Sequence, residues 1–150
     1  MRKGIINKGL IKKTNKQEKK HYTQLSNDEL DYLEKKLKSI KKIYPSWHLV
    51  EKEDISVKKR DILKVVKDSN IRSLIIEYNT TYNLNNVDKR VVLRSRDIYN
   101  VKVGEDIIEC NLCFVISILK GEVITAYYNN INDSHDTINW NRYNKDLKIC

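Results

Sequence analysis

The sequence predicts an α+β fold, with N-terminal helices packed on a four-stranded antiparallel β-meander. Three observations predict it. Apolar residues recur at three- and four-residue intervals in the first half of the chain, and β-branched and aromatic runs replace them in the second. The connections between those later runs are short and polar, which suits antiparallel neighbours. The 150 residues contain no internal repeat, so they fit one domain with a core of its own.

Residues 1–22 read as a basic, flexible arm, and residues 23–150 as a single α+β domain. The arm, MRKGIINKGLIKKTNKQEKKHY, is rich in lysine and has no steady apolar period. The first helix lies in QLSNDELDYLEKKLKSIKKIY. Ser26 is a good N-cap with Glu29 three places on to close a capping box, and Leu30, Leu33, Leu37 and Ile40 form one apolar stripe. Pro45 stops it. After PSWHLVEKEDI a second helix follows, VKKRDILKVVKDS, with Ser56 as N-cap, Val57, Ile62 and Val65 or Val66 inward, and Asn70 near its end.

Four strands come next, in SLIIEYNTTY, RVVLRSRDIYNV, CNLCFVISIL and EVITAYYNN. NLNNVDK is a loop, and Lys120-Gly121 fits a tight hairpin. The tail NDSHDTINWNRYNKDLKIC is polar, but Trp140, Tyr143 and Leu147 are enough to dock it on the body.

Twenty-nine basic residues against 20 acids give a net charge of +9, concentrated at the front of the chain. Such an excess attracts polyanions, nucleic acid or an anionic membrane; lysine abundance in AT-rich genomes would leave the same count without a function. No apolar run approaches a membrane span, and no secretory leader is visible, so a soluble cytoplasmic protein without a membrane partner is expected. Three cysteines do not make a disulfide framework. Cys110 and Cys113 form C-x-x-C, but no further ligands follow at zinc spacing, and the pair opens an apolar run where cysteine acts as a small hydrophobe. No metal and no cofactor are expected.

Chemistry-bearing residues are few. His48 lies between the helices, His135 follows the last strand, and His21 lies in the arm, where a solvated role is expected. Strand alternation places Arg90, Val92, Arg94 and Arg96 on one face. They are either edge charges or, on a concave surface, forks matched to phosphate oxygens. Thr125 and Tyr127 alternate likewise on the last strand, as β-formers or as part of the same site.

The order of elements, with GEVITAYYN (121–129) ending the meander, RVVLRS (90–95) as a basic second strand and HLVEKEDISVKKRDILKVVK (48–67) entering the second helix, resembles the barnase, EndoU, colicin and RelE superfamily of metal-independent ribonucleases. The resemblance spans residues 46–130, with RSLIIEYN as the first strand; Lys52 stands where an arginine often follows the histidine. It implies a small endoribonuclease, toxin-like or phage-encoded, that cleaves RNA, tRNA among the candidates. The 2′-hydroxyl attacks the phosphorus and a 2′,3′-cyclic phosphate remains. In it His48 would be the acid–base residue, with His135 in reserve, and Arg94 would stabilise the phosphoryl charge. Thr125 would bond a phosphate oxygen and Tyr127 would position the phosphate or stack on a base, while Lys52, Arg90 and Arg96 would bind phosphates. A cognate immunity or antitoxin protein is an implied partner. The alternative is a non-catalytic module that binds nucleic acid or protein, such as a phage inhibitor of a host factor.

Overall fold

The computed structural model describes residues 16–45, 57–133 and 140–150. Its central element is a six-stranded sheet formed by β1 (Lys16–His21), β2 (Tyr44–Pro45), β3 (Ile75–Asn83), β4 (Asn86–Val103), β5 (Asp106–Ser117) and β6 (Glu122–Asn130). The spatial order is β1-β3-β4-β5-β6-β2. Two α-helices accompany it among the described residues, α1 (Asn27–Lys38) and α2 (Lys59–Val66).

This corrects the expected architecture. The sheet is mixed and six-stranded, and its first strand precedes both helices. β1 pairs antiparallel with β3 from Lys16↔Tyr82 to His21↔Glu77, inside the stretch read as an arm. β2 pairs parallel with β6 through Tyr44↔Glu122 and Pro45↔Val123. Both additions use backbone groups at sheet edges, where pairing needs no apolar sequence, so no periodicity announced them. β4 and β5 also run further than expected, to a turn at Gly104, whose φ is 62°.

α1 begins as the sequence indicates. The Ser26 hydroxyl accepts the Glu29 N–H, and the Glu29 carboxylate accepts the Ser26 N–H. Leu33 and Leu37 are fully buried, with Leu30 and Ile40 packed beside them. α2 starts at Lys59 with Lys58 as N-cap, which makes no side-chain capping bond; Ser56 lies outside the described residues. Ile62, Val65 and Val66 reach the core, where they meet Tyr78, Val91, Leu93, Leu112, Phe114 and Ile116 of the sheet. Both helices therefore cover one face of the sheet only.

The two ends of the chain meet at the β1 edge. Tyr143 bridges to Lys19, the Asn144 N–H donates to the Lys19 carbonyl, and Leu147 and Ile149 are buried in the core. Lys20 is the clasp. Its ammonium donates to both Glu29 carboxylate oxygens at 2.8 Å and to the Leu147 carbonyl at 3.1 Å, joining β1, α1 and the tail. At the opposite edge Gly121 (φ 71°) lets the chain approach closely: a Cβ there would lie 2.5 Å from the Lys42 carbonyl oxygen.

Burial pushes the Glu29 carboxyl up, but the bonds from Lys20 and Ser26 outweigh it and hold the group below its ordinary 4.5. A depressed carboxyl stabilises the fold fully above its unfolded value and loses that contribution as pH falls through its folded value. Replacing Glu29 with Gln is expected to cost about 2–3 kcal/mol at pH 7 by leaving Lys20 without its counter-charge. In urea titrations the gap between wild type and variant should narrow steadily below pH 4.5. A gap that is constant with pH would remove the clasp from the account.

Candidate functional site

Alternation along the strands divides the sheet into two chemically different faces. Val91, Leu93, Leu112, Phe114 and Ile116 point to the helices. The other face, turned away from α1 and α2, carries Lys19, Glu77, Asn79, Arg90, Val92, Arg94, Cys113, Val115, Thr125 and Tyr127 in cross-strand rows. Arg94 pairs with Cys113, and Cys113 with Tyr127. Glu77 pairs with Val92, Val92 with Val115, and Val115 with Thr125. Arg94, Thr125 and Tyr127 thus share a face, with Arg94 and Tyr127 two strands apart, about 10 Å at ordinary strand spacing.

Arg94 is held rather than neutralised. Its Nε donates to Asn111 Oδ1 at 2.9 Å, Nη1 to the Asp133 carbonyl at 2.9 Å and Nη2 to the Asn130 carbonyl at 3.4 Å. Asn111 also braces the strand beside it, because its amide donates to the Ser95 and Asp97 carbonyls at 3.0 and 3.2 Å. Ser95 Oγ in turn donates to the Asp97 carbonyl and accepts the Leu112 N–H. Together these bonds hold an irregularity in β4, where the pairing with β5 shifts between Arg94 and Ile98.

That irregularity separates the arginines. Arg96 leaves the row expected for it and turns to the chain after α2, donating to Asp68 Oδ2 and Oδ1 at 3.2 and 3.1 Å. Arg90 stays on the Arg94 face, but its Nε bonds the buried Asp88 carboxylate at 2.8 Å. Both are compensated by carboxylates, which leaves Arg94 as the candidate anion ligand of the three.

Tyr127 is 42 % exposed. Burial, with the nearby charges of Glu77 and Asp133, raises its phenol above the ordinary value and Arg94 offsets this only in part, so the phenol remains a donor at neutral pH. Cys113, enclosed in the same row, is pushed up to about 11, chiefly by burial.

The expectation of a solvated His21 is corrected. The ring is 4 % exposed, its Nδ1 lies 2.8 Å from Thr23 Oγ1, and Trp140 and Tyr143 approach it edge-on at 5.4 and 5.5 Å. Beside it, Glu77 accepts the Tyr143 hydroxyl at 2.8 Å and pairs with Lys19 at 3.7 Å. Burial and Glu77 raise the Tyr143 phenol to about 12. Glu77 and Asn111 were not singled out in the sequence, and Tyr143 only as a residue that docks the tail. An acid at an alternating position inside the apolar strand IIEYN was the available signal for Glu77; nothing local marks Asn111. His48, Lys52 and His135 lie outside the described residues. Among the described residues no group of His, Cys, Asp and Glu side chains has the arrangement of a metal site, and no helix is long and apolar enough to cross a membrane.

Cys110 and Cys113 are buried on opposite faces of β5, and Cys150 is exposed. A thiol reagent should therefore modify one cysteine rapidly in the native protein and all three after unfolding. Fast modification of Cys113 in the native state would contradict the enclosure of the Arg94 row.

Compared with family models, curated proteins and solved structures, the chain gives no match.

Proposed function

We propose that this chain is a small metal-independent endoribonuclease acting in the cytoplasm, with its phosphate site on the helix-free sheet face. One observation carries the reading: Arg94 presents an oriented guanidinium to which no carboxylate of a described residue is bonded, in the same cross-strand row as the Tyr127 phenol. RNA strand cleavage needs little more from a protein than charge stabilisation and proton transfer. The 2′-hydroxyl attacks the adjacent phosphorus, the bond to the 5′-oxygen breaks, and the cyclic phosphate and a 5′-hydroxyl remain. Arg94 would meet the charge growing on the non-bridging oxygens, where a fixed cation acts without reorganisation. Tyr127 and Thr125 would donate to the same phosphate, one row apart. His48 would carry the proton.

A second reading keeps the face and drops the chemistry, making the chain a binding module for RNA. It is favoured by His21, the one histidine among the described residues, which is buried among aromatic rings and so is no proton carrier for this face. Under that reading the immunity or antitoxin partner is unnecessary.

Incubation of the full chain with mixed-sequence RNA and tRNA in EDTA separates the two. We expect products ending in 2′,3′-cyclic phosphate. Arg94→Ala should lower kcat/KM by roughly 100- to 1,000-fold, and His48→Ala should abolish cleavage. If folded wild-type protein binds RNA and leaves it intact, the nuclease reading fails and the binding module stands.

A further inference from the structure

A groove on the helical side of the molecule gathers lysines, most of which make no ion pair with a described residue. A cavity of about 480 Å³ lies between the end of α1 and α2, lined by Lys38, Lys41, Lys42, Lys59 and Lys67 over a floor that includes Leu37, Ile40, Ile43, Leu63 and Val66. Ile40, Lys41 and Lys42 also line a second cavity of about 390 Å³, which adds Lys36 and Lys120 and reaches the β5–β6 turn at Gly121. The acid in the lining is Asp68, already bonded by Arg96.

Lys19, Lys20 and Lys64 are each paired with a carboxylate, and Lys38 of the lining pairs with Glu34. Lys41, Lys42, Lys59 and Lys67 are exposed and make no ion pair with a described residue; the same holds for Lys35, Lys58, Lys102, Lys145 and Lys148 elsewhere, but these do not share one cavity. Helix stabilisation accounts for part of this, since lysines at the end of α1 suit its dipole. It does not account for Lys59, which sits in the first turn of α2, where a cation is unfavourable.

We infer that this groove is a second site, which takes the backbone of single-stranded nucleic acid. Lysine is a point-charge ligand for phosphate and needs no fixed geometry, which suits a flexible strand. The aliphatic floor suits the sugar and base surfaces that such a strand presents alongside its phosphates, and that an acidic peptide lacks. The second cavity reaches Gly121, whose carbonyl accepts the N–H of Tyr44, an exposed residue of β2. The site does not depend on cleavage at Arg94.

The test uses the full chain and a fluorescent mixed-sequence 2′-O-methyl RNA, which lacks the attacking hydroxyl and stays intact whatever the outcome at Arg94. Binding is measured by anisotropy between 50 and 300 mM salt, beside K41Q/K59Q/K67Q, the matching triple arginine variant and Arg94→Ala. The glutamine variant should bind about 10- to 100-fold more weakly near 0.1 M salt, with a log–log salt slope shallower by about 2. The arginine variant should retain both affinity and slope, and Arg94→Ala should keep the slope to within about one contact. Wild-type affinity in the glutamine variant, with its circular dichroism unchanged, would overturn the proposal. So would polyglutamate of equal length competing as well as the oligonucleotide.

Discussion

The register between β4 and β5 is the constraint on which the rest of this structure depends. Side chains on a strand alternate with a period of two, so a slip of one residue would exchange the faces. In the observed register Leu93 lies beside Phe114 and Val91 beside Ile116, on the face that receives the helices. The same register puts Arg94 beside Cys113 and Val92 beside Val115 on the other. Burying the first set is worth roughly 1.5–3 kcal/mol for each large apolar side chain, and that energy fixes the placement of the polar set without any contribution from it. The helix-free face is therefore specified by the core.

Where the register breaks, it does so under tight polar control. The shift between Arg94 and Ile98 would leave carbonyls without strand partners, and Asn111 supplies them with donors while accepting from Arg94. The irregularity and the orientation of Arg94 thus share one side chain. It also sends Arg96 to Asp68, so that of two arginines two residues apart one is neutralised at the helical layer and the other keeps its charge. A regular strand would have kept both on one face, as simple alternation expects.

What could be read in advance follows the range of the forces involved. α1 was legible from Ser26, Glu29 and the leucine stripe because capping and helical periodicity are local. The β-branched runs of β3 to β6 were legible for the same reason. β1 was not: KQEKKH has little strand propensity, and it is held by β3, by Glu29 and by the carbonyl of Leu147, the last 127 residues away. His21 is buried by Trp140 and Tyr143, equally distant in the chain. On the site, Thr125 and Tyr127 follow from alternation, whereas the difference between Arg90, Arg94 and Arg96 depends on Asp88, Asn111 and Asp68. No spacing rule connects those partners.

The net charge of +9 admitted a compositional and a functional explanation. A compositional excess of lysine has no reason to be sorted in space, so its unpaired members should scatter over the surface. On the sheet and at the β1 edge some cations are paired, Lys19 with Glu77, Lys20 with Glu29 and Arg90 with Asp88, while Arg94 is held by neutral acceptors. Unpaired lysines also lie elsewhere, Lys102, Lys145 and Lys148 among them, but Lys41, Lys42, Lys59 and Lys67 share the lining of one cavity with an apolar floor, where mutual repulsion and, at Lys59, the helix dipole both oppose them. Repulsion of that kind is relieved by an anion and by little else. The placement of these lysines, more than the total charge, is what the proposed polyanionic ligand rests on.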